Sequence, residues 1–164
     1  MQLVWNGGAH QSGGHRNQAL IFFVQSFDLS FSAMTILYLD DDTDDLDLVR
    51  ETIHEIDPSI SCMIASTDTQ AYQMLQGLAN PPDCIFVDLH LQSINGVAFI
   101  KELKLSARYK RVPVVMLSSV TNQFVIDKCR ELGADFVQKP SSLDAWKKTL
   151  SSILIPDNNS ERKA

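Results

Sequence analysis

From Thr35 onward the chain repeats one pattern five times: a short, unbroken apolar run, then a stripe of apolar residues at helical spacing. Ile36-Leu37-Tyr38-Leu39 leads to Leu46, Val49, Ile53 and Ile56, and Pro58 stops that helix. Ile60 to Ala65 leads to Ala71, Met74, Leu75 and Leu78, closed by Asn80-Pro81-Pro82. Cys84-Ile85-Phe86-Val87 leads to Phe99, Ile100 and Leu103. Val112 to Leu117 leads to Val125, Cys129 and Leu132, where Gly133 ends the helix. Phe136-Val137 leads to Leu143, Trp146, Leu150 and Ile153, with Ser141 expected as the cap and Asp144 as the first-turn acid. Strands without polar alternation are covered on both faces, so the pattern predicts an α/β fold. The expected form is a doubly wound, flavodoxin-like (βα)5 domain whose five-stranded parallel sheet has the order 2-1-3-4-5.

Such sheets place their ligand site at the carboxyl ends of the strands. The polar residues of the sequence gather at those ends. Asp40-Asp41-Asp42 follows the first strand, Asp88 the third, Ser118-Ser119 the fourth and Lys139-Pro140 the fifth. Acids brought together repel one another, and a hard divalent ion with oxygen ligands, Mg²⁺ above all, relieves the repulsion. A carboxylate beside such an ion can attack phosphorus, with Lys139 and the Ser118 hydroxyl receiving the phosphoryl oxygens. Singly, each residue also has a plain structural reading: Asp42 and Ser118 as helix caps, Lys139 as a solvated loop lysine.

Composition narrows the classes. Apolar residues make up 45% of the chain, enough for a core, and the formal net charge is −6. That balance excludes a broad nucleic-acid surface. Cys62, Cys84 and Cys129 are odd in number, lack CxxC spacing and read as reduced thiols in a cytoplasmic protein. Ala19 to Val24 is too short to span a bilayer, so no membrane partner is expected. Residues 1–33 are Gly-rich and aperiodic and read as a disordered or non-native extension; residues 34–156 form the domain and 157–164 a polar tail. His10 and His15 are too few to make a metal site. His54 reads as a solvated surface residue.

The segments Ile36 to Asp42, Ile85 to Leu91 with Gly96, Val112 to Ser119 and Gly133 to Pro140 together resemble the receiver domain of bacterial response regulators, of the single-domain, chemotaxis-regulator-like kind. The resemblance covers about residues 35–155. It implies that Asp88 is the phosphoacceptor, and that Asp40, Asp41, Asp88 and the backbone carbonyl of His90 hold Mg²⁺, with Mn²⁺ as a substitute. It further implies Ser118 and Phe136 as switch residues, Lys139 as the phosphate partner and a cis Lys139–Pro140 bond. The resemblance also implies that His90 and Val120 flank the approach of water and tune the phosphoryl lifetime. The implied partners are a histidine kinase or histidine phosphotransfer protein, and a target protein met by the face of the fourth helix, fifth strand and fifth helix. No enzymatic activity is expected beyond self-catalysed phosphorylation and dephosphorylation. The sequence departs from the family in having Gln92 for a usual Pro, which is expected to loosen that loop, Thr43 for a common Pro, and Phe136 for a frequent Tyr.

Three other readings are weighed. Asp40, Asp42, Asp44 and Glu51 fit an EF-hand, but Asp45 stands where that loop needs Gly and no helix precedes it. A Mg²⁺-dependent phosphohydrolase of the haloacid dehalogenase type leaves Asp88 unexplained. A pseudo-receiver that binds partners without phosphorylation remains as the alternative.

Overall fold

The computed structural model describes residues 33–155. The expected extension and polar tail therefore lie outside the described residues, apart from Ala33. The described chain runs β1 (Thr35–Leu39), α1 (Thr43–Ile56), β2 (Ser61–Ala65), α2 (Asp68–Gly77), β3 (Cys84–Asp88), α3 (Gly96–Leu105), β4 (Val114–Ser118), α4 (Gln123–Glu131), β5 (Asp135–Gln138) and α5 (Leu143–Leu154). All four strand pairs are parallel, and the sheet order is β2-β1-β3-β4-β5.

Strand alternation divides the core in two. Leu37, Leu39, Ile85, Val87 and Met116 face one layer, with Ala71 and Leu75 of α2, Phe99, Ile100 and Leu103 of α3, and Cys129 of α4. Ile36, Tyr38, Phe86, Val115 and Leu117 face the other, with Leu46, Val49 and Ile53 of α1 and Trp146, Leu150 and Leu154 of α5. The inner strands β3 and β4 are buried throughout, which accounts for their unbroken apolarity.

Local chemistry sets the boundaries. Asp42 caps α1 by accepting from the N–H groups of Asp44 and Asp45, as its structural reading anticipated. The cap of α4 is Asn122, which leaves Ser118 free of that duty. The cap of α5 is Ser142, one residue beyond the expected Ser141, and it accepts from Ala145 N–H. Gly133 takes φ 67° just past α4, the left-handed position that favours glycine. Two strands begin later than their apolar runs. Ile60 N–H turns back to Asp57 O and Val112 N–H to Tyr109 O, so both residues are buried turn positions outside the ladder. The Lys139–Pro140 bond, expected cis, is trans, and no peptide bond among the described residues is cis. The two isomers of an X–Pro bond differ by only about 0.5–1 kcal/mol in favour of trans. In the trans form Lys139 N–H already closes on Ser118 O at 2.9 Å.

Candidate functional site

β1 and β3 are neighbours whose crossovers leave in opposite directions, and that switch point opens a crevice at their carboxyl ends. Asp40 follows β1 and is buried; Asp88 ends β3 and is buried; Asp41 is half-buried between them. One carboxylate oxygen from each of the three lies within 4.8 Å of the others. Ser118 ends β4 and is buried, and Lys139 follows β5 with its side chain 10% exposed. The fold therefore brings together Asp40, Asp41, Asp88 and Lys139, with Ser118 at the end of the neighbouring strand, while Asp42 caps α1.

Lys139 joins the site together. Its ammonium lies 2.7 Å from Asp40 Oδ2, 2.6 Å from Asp88 Oδ1 and 2.8 Å from Asp45 Oδ2. Burial alone lowers a lysine pKa, but hydrogen bonds to Asp40, Asp45 and Asp88 outweigh it and hold Lys139 above its ordinary value, firmly charged. Asp40 is the most enclosed acid. Its Oδ2 also accepts from the Tyr38 hydroxyl, and its Oδ1 accepts from Asp42 N–H at 3.0 Å. Burial pushes the Asp40 carboxyl above the usual range, opposed by Lys139, Tyr38 and the Asp42 N–H. Burial, then the charge of Asp40, pushes the Tyr38 phenol far up, so it stays a neutral donor.

The remaining expected residues fall around this centre. The N–H of His90 donates to Asp88 Oδ2 while its side chain is exposed at the mouth. Ser118 Oγ donates to Val120 O at 2.9 Å and accepts from Val120 N–H at 3.2 Å, so its hydroxyl is engaged by the loop after β4. Val120 is 58% exposed. Phe136 is half-buried and packs on the core layer of α2, α3 and α4. The loop carrying Gln92 was expected to be loose. It is tied to the start of α2 by Ser93 Oγ donating to Asp68 Oδ1 at 2.6 Å. A cleft of about 490 Å³ lined by Asp41, Thr43, Ser66, Thr67, Gln92 and Ser93 opens beside the acids. His54 is exposed, as expected, and lines a separate groove of about 500 Å³ between α1 and β2. No disulfide joins the cysteines: Cys84 and Cys129 are buried free thiols and Cys62 is half-buried.

Two residues of the site were absent from the sequence reading. Asp45 was weighed only as a misfit in a calcium loop, yet its carboxylate holds Lys139. Tyr38 was read as one more apolar residue of the first strand. A strand side chain two positions from Asp40 shares its face, and that period could have singled out this hydroxyl.

Three carboxylates around one ammonium, with Asp41 beside two of them, leave an excess of negative charge. An all-oxygen donor set of this kind suits a hard divalent cation, and Asp40, Asp41 and Asp88 are placed to hold one. The family model of the response regulator receiver domain matches residues 36–151. This chain belongs to the response regulator receiver family. It is similar to the protein-glutamate methylesterase/protein-glutamine glutaminase of Treponema denticola, with 37% identity over 122 residues, 68% of this chain and 32% of that relative. The chain thus spans about a third of that relative's length. The receiver fold is likewise that of Vibrio cholerae chemotaxis protein CheY4, at 22% identity and TM-score 0.64, covering 73% of this chain and 98% of the other. The Mn²⁺-bound response regulator Rcp1 matches at 24% identity and TM-score 0.66, over 76% of this chain and 96% of its own. Among the described residues no helix is long and apolar enough to cross a membrane.

Proposed function

We propose that this receiver accepts a phosphoryl group on Asp88 from the phosphohistidine of a histidine kinase or histidine phosphotransfer protein. The observation that carries the reading is the contact of the Lys139 ammonium with Asp88 and Asp40 at the mouth of the acidic crevice. A carboxylate nucleophile, a fixed cation beside it and an oxygen cluster for a divalent ion are what phosphoryl transfer to Asp requires. Mg²⁺, or Mn²⁺ in its place, would be held by Asp40, Asp41, Asp88 and the His90 carbonyl. There the ion supplies neutralisation of the phosphoryl charge.

The chain's own groups do the rest. Asp88 attacks phosphorus as the P–N bond to the donor imidazole breaks and its electron pair returns to that nitrogen, and the His90 N–H orients the second oxygen of Asp88. Lys139 exchanges its bond to Asp88 for one to a phosphoryl oxygen. Ser118 leaves its two bonds to the Val120 backbone and turns its hydroxyl to the new acceptor. Its inward movement vacates space that Phe136 fills, which reshapes the face of α4, β5 and α5 for a target protein. The phosphoryl group carries about −2 charge in place of the carboxylate's single one, and this added charge biases an equilibrium between the two arrangements. Its only catalysis is its own phosphorylation and dephosphorylation, and its working compartment is the cytoplasm.

The test is transfer from a histidine phosphotransfer protein carrying a radiolabelled phosphoryl group. Label should move to the wild type and not to Asp88→Asn. Amide exchange in α4 and β5 should change on transfer. A donor that keeps its label in the presence of Mg²⁺ refutes the reading in favour of a phosphorylation-independent module.

A further inference from the structure

We propose that Asp45 is a positioning residue for phosphoryl transfer to Asp88, a role that rests on the phosphoacceptor reading above. An ammonium has three donors, and here each meets a carboxylate: Asp40 at 2.7 Å, Asp45 at 2.8 Å and Asp88 at 2.6 Å. Two of these partners, Asp40 and Asp88, belong to the acid cluster that would hold the divalent ion. Asp88 is also the group that loses its charge when phosphorylated. Asp45 stands outside that cluster, on the first turn of α1, and neither ion nor phosphoryl group draws it away. Lys139 lies just past β5 on a flexible four-carbon stem. Asp45 is therefore the anchor that keeps its ammonium over the site while the other two contacts change.

The step is a displacement without redox change. With acetyl phosphate as the donor, an Asp88 oxygen forms its bond to phosphorus as the donor's P–O bond breaks and the electron pair leaves with acetate. The ammonium donor released by Asp88 turns to a phosphoryl oxygen, and Asp45 holds its own throughout.

The experiment compares wild type, Asp45→Ala, Asp45→Asn and Asp44→Asn in the full chain. Asp44→Asn removes the same charge from the same helical turn, at an exposed residue whose carboxylate makes no contact with Lys139. Two quantities are read: the initial rate of phosphorylation by acetyl phosphate in excess Mg²⁺, and the acetylation of Lys139 by acetic anhydride in metal-free protein, mapped by mass spectrometry. Loss of one charge-assisted bond should slow phosphorylation about tenfold in Asp45→Ala and less in Asp45→Asn. Lys139 labelling should rise several-fold while that of Lys148 stays constant. Asp44→Asn should match wild type in both. Wild-type rate and unchanged Lys139 labelling in Asp45→Ala overturn the role while leaving the phosphoacceptor reading intact. A wild type that accepts no phosphoryl group overturns that reading and the role with it.

Discussion

Replacing Asp41 by Asn should stabilise the metal-free protein and destabilise it relative to wild type once Mg²⁺ is added. Lys139 reaches Asp40, Asp45 and Asp88, but among the described residues nothing pairs with the Asp41 carboxylate. Asp41 has two like-charged neighbours, Asp40 and Asp88, with oxygens within 4.8 Å. One such pair costs about 0.9 kcal/mol in water and about 3.5 kcal/mol at the effective dielectric of a protein surface. Asp41 is half-buried and Lys139 offsets part of the field, which leaves about 1–2 kcal/mol of net repulsion to relieve. For a domain of this size that is a rise of roughly 3–8 °C in melting temperature. Excess Mg²⁺ acts the other way. Binding at a hundred times the dissociation constant stabilises the folded wild type by about 2.7 kcal/mol, and a variant lacking one of three carboxylates gains much less. Thermal unfolding followed by circular dichroism, with EDTA and then with Mg²⁺, should show the order of the two proteins reverse. The reasoning fails if Asp41→Asn melts below wild type in EDTA, or if Mg²⁺ raises both by the same amount.

Other substitutions and conditions probe separate parts of the account. A Cβ on Gly96 would stand 2.2 Å from the backbone oxygen of Asp88 and 3.1 Å from Leu89 Cα. Gly96→Ala should therefore cost about 2 kcal/mol or more and slow phosphorylation, both visible in urea melts and acetyl phosphate kinetics. Burial, opposed by Arg50, pushes the Cys62 thiol up to about 11. At pH 8 it should react about a hundredfold more slowly than a free cysteine with iodoacetamide, gaining about tenfold per pH unit as the thiolate forms. Reaction at the free-thiol rate would contradict that environment. Val120 is exposed beside the Ser118 hydroxyl and offers water no polar group. Val120→Gln should shorten the phosphoryl lifetime several-fold after donor removal, and an equal or slower decay would reduce Val120 to packing.

The fold was legible because periodicity alone separates strand from helix here. The runs beginning at Ile36, Cys84 and Phe136 sit in β1, β3 and β5, and the sheet order follows from parallel crossovers. Boundaries were less legible. Ile60 and Val112 are buried like strand residues, but their N–H groups serve turns, and hydropathy does not distinguish the two uses. Strand ends offered Asp40, Asp41, Asp88, Ser118 and Lys139; the three acids share one cluster that Lys139 reaches, while the Ser118 hydroxyl is bonded to the Val120 backbone. Asp45 escaped because a first-turn acid is ordinary helix chemistry. Its second use depends on the Lys139 side chain, from just past β5, reaching the first turn of α1, which no local pattern encodes. Tyr38 escaped because its ring belongs to the core while only its hydroxyl belongs to the site. The Lys139–Pro140 isomer and the Ser93–Asp68 tie also lie beyond local pattern, since each depends on contacts between distant elements.

The central claim, that Asp88 takes a phosphoryl group with help from the surrounding acids and Lys139, is tested most directly by intact-protein mass spectrometry after incubation with acetyl phosphate. The wild type should gain the mass of one phosphoryl group in Mg²⁺ or Mn²⁺ and none in excess EDTA. Asp88→Asn should gain none in either, and peptide mapping of the wild type should place the label on Asp88. The same mass gain in Asp88→Asn, or in the wild type with EDTA, would contradict the account.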